Sequence, residues 1–240
     1  MENLQPEKEQ LPTKLPIFKW RHFFLLLLLY VGMMFAVIIP LVVYDLIKGS
    51  HYSDLIINGP FQALILDAGI VFLIILIMKP IRRNVFNKQT WNVSVFKERK
   101  TYAVIVSALL INYVFEFIIH GIFHMESVNK QLKYLNLVPH GNYGWITFIF
   151  IFLGIVIITP IKEEILFRLI PNLLLRRYHV LLVIIVSTVL FAAGHTGVYF
   201  SAGFMGLLFM LSYLYTKSLT VSFVIHSLWN FYSFCTLFFF

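Results

Sequence analysis

Two adjacent carboxylates and a guanidinium, those of Glu163, Glu164 and Arg168, interrupt an otherwise apolar stretch of the sequence. An ionisable residue within a membrane segment is by itself a functional-site hypothesis, because burying its charge in lipid is costly. On a helix, Arg168 follows Glu164 by four residues, so the two side chains share a face and can pair. Glu163 is then the less neutralised carboxylate, and we expect it to accept and return protons near neutral pH.

Two further polar groups lie downstream, each within an apolar run. His195 follows small residues at 192–194, which would let a neighbouring helix approach closely beside the imidazole. His226 and Asn230 are four residues apart and therefore lie on one helix face. Each of these groups alone is typical of an interhelical hydrogen bond. Together with the two carboxylates, they predict a site built from three helices in the last third of the chain.

The composition places the chain in the membrane. Of its 240 residues, 60% are apolar and 12% are charged, far from the balance of soluble domains. The formal net charge of +8 is better explained by lysines and arginines that anchor loops to an anionic membrane face than by nucleic-acid binding. Cys235 is the single cysteine, so an internal disulfide is excluded, and it is most simply a small apolar side chain.

The apolar runs predict an all-α fold, a polytopic transmembrane helical bundle of about seven spans. The expected spans are 22–44, 60–78, 102–123, a run from 145 that continues through the Glu-Glu motif, 178–194, 201–215 and 219–238. Residues 1–22 are polar and rich in proline and lysine, which predicts a cytoplasmic tail. Residues 23–240 then form a single transmembrane domain, whose catalytic-type core is 145–240.

The distribution of lysine and arginine predicts the orientation. These residues concentrate in the N-terminal tail, in the loop from Lys79 to Lys100, and at Arg176 and Arg177. By the positive-inside rule, the chain is a multi-pass cell-membrane protein with a cytoplasmic N-terminus. An odd number of spans places the C-terminus outside.

The three motifs taken together carry a family resemblance. Glu-Glu-x-x-x-Arg at 163–168, Phe-x-x-x-His at 191–195 and His-x-x-x-Asn at 226–230 resemble the CPBP family of intramembrane proteases. This family, also called the Abi family, includes the type II CAAX prenyl endopeptidases and bacterial proteins linked to bacteriocin processing and immunity. Leu169 departs from the family pattern, in which glycine often follows the arginine. The resemblance covers about a third of the chain, so it carries no substrate identity.

The resemblance implies a peptidase that acts on membrane-associated peptides or proteins. Glu163 with His195 would hold and deprotonate the attacking water. His226 and Asn230 would donate hydrogen bonds to the oxyanion. Glu164 with Arg168 would hold the motif in place and tune the basicity of Glu163. The expected partners are therefore the lipid bilayer and a peptide or protein substrate, with no nucleic acid.

Two ways of activating the water stay open. In one, Glu163 acts without any cofactor. In the other, Zn²⁺ is bound by Glu163, His195 and His226 and carries a water at its open position. The two-histidine helix motif of soluble metalloproteases is absent, which favours the first way without excluding the second.

Polar residues elsewhere suggest two other functions. Glu116, His120 and His124 recur every four residues, which is metal-ligand spacing, although a polar stripe at the end of a span is the simpler interpretation. Asp67 is either a helix-pairing group or a cation site. A transporter coupled to protons or cations through Asp67 and Glu116 is one alternative, but it would be expected to show inverted repeats. A catalytically silent membrane regulator or immunity protein is the other, but it would be expected to have lost motif residues.

Overall fold

The computed structural model describes residues 18–49, 60–123 and 144–239, and within them the regular secondary structure is entirely helical. The all-α prediction is therefore confirmed. The helices are α1 (Trp20–Lys48), α2 (Pro60–Ile77), α3 (Lys79–Val85), α4 (Arg99–Glu116, continued by a π-helical turn at Phe117–Ile122), α5 (Trp145–Leu175), α6 (Val180–Ala193), α7 (Tyr199–Thr216) and α8 (Leu219–Phe239). A 3₁₀ turn at Val93–Lys97 precedes α4.

The helix lengths fit a multi-pass membrane protein. Among the described residues, α1, α4 with its extension, α5, α7 and α8 are long and apolar enough to cross a bilayer. The remaining two apolar helices are shorter, with apolar stretches at Ile65–Ile77 in α2 and Val180–Ala193 in α6. Each of these seven apolar helices corresponds to one of the expected spans, whereas the short basic helix α3 lies between two of them, so a bundle of about seven spans agrees with the structure. Most of the predicted tail lies outside the described residues, and α1 begins two residues earlier than expected.

Helix α5 is irregular in a way that its two prolines explain. Two π-helical turns, Gly154–Ile158 and Ile165–Leu169, interrupt it and flank a six-residue α-helical stretch, Thr159–Glu164. A proline inside a helix lacks an N–H group and clashes with the carbonyl four residues before it. Pro160 and Pro171 each follow one of these turns by two residues, so each wide turn contains the carbonyl that the proline would otherwise meet.

The stretch Thr159–Glu164 lies at the centre of the bundle. It contacts α2 on one side and α8 on the other. One buried apolar cluster joins α5 to α1, α2, α6 and α7, and includes Ile74, Ile165 and Leu174. A second cluster joins α4, α6, α7 and α8, and includes Phe191 and Phe209. The charged residues of the motif therefore lie between two apolar layers.

Candidate active site

The side chains of the two adjacent glutamates point in different directions. Both belong to the stretch Thr159–Glu164 and both are buried, with Glu163 9% and Glu164 0% exposed. Successive residues of a helix point about 100° apart, so neighbouring side chains leave the helix in different directions. Glu163 faces the imidazoles of His195 and His226, whereas Glu164 faces α8 and Arg168.

Glu163, His195 and His226 bring one titratable atom each to the same place. Its Oε2 atom lies 3.9 Å from Nε2 of His195 and 3.6 Å from Nε2 of His226. These distances exceed a direct hydrogen bond, and this buried oxygen has no hydrogen-bond partner among the described residues. One carboxylate oxygen and two imidazole nitrogens therefore surround a point where they could bind a single water molecule.

The second nitrogen of each ring is already engaged. Nδ1 of His195 lies 2.7 Å from the carbonyl oxygen of Phe191. A carbonyl only accepts hydrogen bonds, so Nδ1 of His195 is the donor. Nδ1 of His226 lies 2.9 Å from Oε1 of Glu164 and donates to that carboxylate when it is ionised. Both histidines are thereby oriented with Nε2 toward Glu163.

Glu164 is the acceptor at the centre of a buried network. Its Oε2 atom accepts a hydrogen bond from Ser222 of α8 and lies 3.6 Å from Nε of Arg168, the pairing that the four-residue spacing predicts. Ser222 was missed by the sequence analysis, although it precedes His226 by four residues and so continues the polar face of α8. This network fixes the ring of His226 rather than contacting the proposed water.

Arg168 is completely buried, yet it has few polar partners. Its Nη1 donates to Ser187 over 3.4 Å, and its guanidinium carbon lies 4.3 Å from the ring centre of Phe191 and 5.5 Å from that of Phe209. A guanidinium over aromatic rings gains cation–π attraction, which is stronger in a desolvated site. Together with Glu164, these rings stabilise a charge that would otherwise be costly to bury.

The same two rings pack against the imidazoles. Phe191 lies 4.4 Å from the ring centre of His195, and Phe209 stacks on His226 at 4.7 Å. A Cβ atom at Gly206 would lie 3.1 Å from Cδ1 of Phe191, a tighter contact than most side chains make, so glycine favours the close approach of α7 to this ring. Ala192 of α6 likewise faces Gly203 of α7. The close helix approach predicted from the small residues at 192–194 is therefore present.

Among the motif residues described by the structure, Asn230 alone shows no side-chain contact with the others. Its Nδ2 atom donates to the carbonyl of Ile155 over 2.9 Å, within the π turn Gly154–Ile158. It lies one helical turn beyond His226 on the same face of α8. The structure thus brings together Glu163, Glu164, Arg168, His195 and His226. The proposed role of Asn230 toward an oxyanion stays a prediction.

The polar stripe on α4 joins α4 to α7. Glu116 and His120 lie 2.8 Å apart through Oε2 and Nε2, and Ser201 of α7 donates to Oε2 of Glu116 over 3.2 Å. The simpler interpretation was a polar stripe at the end of a span, and the structure adds that this stripe links α4 to α7. His124, the third member of the expected cluster, lies outside the described residues.

Asp67 forms a partly buried network that the sequence analysis did not predict. Its Oδ2 atom pairs with Nζ of Lys162, and its Oδ1 atom accepts a hydrogen bond from Tyr30. Of the two interpretations left open for Asp67, these contacts support the helix-pairing group. Lys162 was overlooked although it is a charge in the same apolar stretch as Glu163.

The fit to a metal can be tested on the side chains present. In the part of the chain that the structure describes, no group of three or more His, Cys, Asp or Glu side chains is arranged to hold a metal ion. The expected zinc ligands Glu163, His195 and His226 do lie near one another. The zinc hypothesis therefore stays a prediction, and no chemical step below depends on it.

Comparison with known proteins finds a family that the segment carrying this site resembles. Residues 145–232 match the family model described as Type II CAAX prenyl endopeptidase Rce1-like. The matched segment contains all three motifs and most of α5–α8, while α1–α4 lie outside it. The match confirms the resemblance to the CPBP proteases. No match was found among curated proteins or among solved structures.

Proposed function

From the match of α5–α8 to a family of membrane-embedded CAAX-type endopeptidases, we propose that this protein is an intramembrane endopeptidase. It would hydrolyse a peptide bond in a membrane-associated peptide or protein. The observation that carries the proposal is the convergence of Oε2 of Glu163 with the Nε2 atoms of His195 and His226 in a buried site. The family's name suggests prenylated C-terminal peptides as the first substrates to test.

The first step is attack by water. A water held between Glu163 and His195 loses a proton to the Glu163 carboxylate as its oxygen bonds to the scissile carbonyl carbon. The Nδ1–H of His195 is fixed on the Phe191 carbonyl, so its Nε2 lone pair is available to accept the second hydrogen of the water. Glu163 is buried, His195 is partly buried and both are preoriented, which reduces the reorganisation needed during the reaction.

The second requirement is stabilisation of the oxyanion. His226 can donate from Nε2 when that nitrogen is protonated, and the Glu164 carboxylate on Nδ1 supplies the counter-charge for such an imidazolium. Asn230 carries two N–H donors, of which the contact with Ile155 needs one. In this proposal, the other donor turns to the oxyanion when substrate binds.

The last step is collapse of the tetrahedral intermediate. The carbon–nitrogen bond breaks, the proton held by Glu163 passes to the leaving amine, and a carboxylic acid and an amine are released. Glu163 is thereby returned to its carboxylate form, so the cycle needs no oxidant, reductant or cofactor. Zn²⁺ bound by the same three side chains would instead supply a metal-bound water, and metal analysis distinguishes the two mechanisms.

The experiment is a cleavage assay in detergent or liposomes with prenylated and unmodified membrane-associated peptides. In water labelled with ¹⁸O, wild type should produce a new carboxyl terminus that contains one ¹⁸O atom, detected by mass spectrometry. Glu163→Gln and His195→Ala should each abolish the product while membrane levels stay normal. Glu98→Gln, which changes an exposed carboxylate paired with Lys100, is the matched control and should leave cleavage unchanged.

The retained geometry argues against the alternatives. A silent regulator has no need to keep Glu163 between two imidazoles, and a cation-coupled transporter would use Asp67, which is paired here with Lys162. Processing of a secreted peptide, or immunity to one, is the physiological role that the family resemblance suggests. If the wild-type protein cleaves none of the peptides tested, the silent regulator is favoured.

A further inference from the structure

A partly buried network lies on another side of α5 from the proposed active site. Lys162 directly precedes Glu163 and is 8% exposed. Its Nζ atom pairs with Asp67 of α2, which also accepts a hydrogen bond from the hydroxyl of Tyr30 of α1. Tyr30 and Asp67 both lie outside the segment that matches the endopeptidase family.

The direction of these side chains places the central stretch of α5 between two sets of contacts. Lys162 points toward α1 and α2, whereas Glu163 and Glu164 point toward α6 and α8. A rotation of the stretch about the helix axis would break the contacts on both sides together. The two sets therefore oppose one another and fix the direction of Glu163.

The local backbone gives such external contacts a role. The stretch Thr159–Glu164 is only six residues long and has a π turn at each end. A π turn changes the spacing of the backbone hydrogen bonds from four residues to five, so the side-chain directions of the stretch differ from those of a regular helix and the contacts on its sides help to hold them. A misplacement of about 1 Å at a catalytic group can cost about a hundredfold in rate.

We propose that Tyr30, Asp67 and Lys162 form a positioning network that sets Glu163 at its distances from the two imidazoles. The proposal rests on the peptidase function proposed above. It makes α1 and α2 part of the catalytic unit through residues that lie outside the set of Glu163, His195 and His226.

The competing explanation is that the network only adds stability. A buried ion pair is weak evidence for stability, because replacing both partners by apolar groups of similar size is often neutral or stabilising. The triple variant Tyr30→Phe, Asp67→Leu and Lys162→Met makes this replacement. It leaves no charge uncompensated, and it removes the directional contacts while keeping the packing.

The test compares this variant with wild type in three measurements. We expect the unfolding temperature to stay within a few degrees, kcat to fall about ten- to a hundredfold with KM unchanged, and hydrogen exchange of the backbone at 159–169 to become faster. Lys100→Met removes an exposed lysine from a surface pair and should change none of these. Wild-type kcat together with wild-type exchange in the triple variant would overturn the proposal.

Two further arms keep the outcomes separate. The first arm compares the single variants Lys162→Arg and Lys162→Met. Lys162→Arg preserves the charge next to Asp67, so it should retain most of kcat if the network positions Glu163. A loss of kcat as large as that of Lys162→Met would contradict the proposal. This pair also serves if the triple variant fails to fold. Should wild type cleave no substrate, the peptidase proposal fails, while the exchange measurement still decides whether the network holds the stretch.

Discussion

Asn230 donates its side-chain amide to the carbonyl of Ile155, 2.9 Å away, and thereby joins α8 to the first π turn of α5. A π turn displaces carbonyls from their usual helical partners, so a side-chain donor at this position satisfies a group that would otherwise be unpaired. Asn230 thus has a structural partner and is also one of the two residues that the family resemblance assigns to the oxyanion.

Replacement of Asn230 separates these two roles. Asn230→Ala should lower kcat about a hundred- to a thousandfold with little change in KM, because the lost hydrogen bond forms fully only in the transition state. Asn230→Asp should be worse, since an ionised carboxylate repels the oxyanion. Turnover and thermal unfolding should be measured on both variants. An Asn230→Ala protein that unfolds early yet cleaves at the wild-type rate would leave Asn230 with the structural role alone.

Gly206 provides a test of the aromatic packing beside the imidazoles. An alanine Cβ there would lie 3.1 Å from Cδ1 and 3.3 Å from Cβ of Phe191, whose carbonyl orients His195. Gly206→Ala should therefore destabilise the protein by about 1–3 kcal/mol and lower kcat several-fold. Gly32→Ala is the control, because its added Cβ meets nothing within 4 Å, and it should be neutral or stabilising. Equal behaviour of the two variants would contradict this account.

The metal question has a direct measurement. If Glu163 activates water by itself, protein treated with a chelator and shown by elemental analysis to lack zinc should cleave at the full rate. If the rate is lost and added Zn²⁺ restores it, the zinc hypothesis is correct instead. Glu163→Gln protein is a useful control. If no metal takes part, its zinc content should equal the background level.

Asn112 carries a buried carboxamide without a partner. It is 2% exposed, and among the described residues neither Nδ2 nor Oδ1 forms a hydrogen bond. Asn112→Leu should raise the free energy of unfolding by about 1–3 kcal/mol, because leucine of similar size has no polar atoms to desolvate. Asn172→Leu should have the opposite effect, because Nδ2 of Asn172 donates to the hydroxyl of Tyr213. A stability loss in both variants would show that Asn112 has a partner.

The orientation predicted from loop charge can be checked with reporters. A fusion at the N-terminus should report the cytoplasm and one at the C-terminus the outside, because the expected number of spans, seven, is odd. Two ends on the same side would mean that one of the shorter apolar helices, α2 or α6, does not span the membrane.

The sequence predicted the fold because long apolar runs have few other solutions in a bilayer. It also located Glu163, His195 and His226, since each is a rare polar group in such a run. It did not predict that Asp67 pairs with Lys162, because the two are 95 residues apart and nothing local links them. The partner of Asn230 was beyond reach for another reason: it is a backbone carbonyl, made available by a π turn that only the prolines of α5 hint at.

The position of Asp67 has a consequence for any shortened form of this protein. A chain that began at Gly144 would keep α5–α8 and every motif residue. It would lose α2, and with it the anion that neutralises Lys162. The ammonium group of Lys162, which is 8% exposed, would then be left without the counter-charge that Asp67 provides, and an unpaired buried charge is costly. We therefore expect the family-matching segment to be less stable alone than together with α1 and α2.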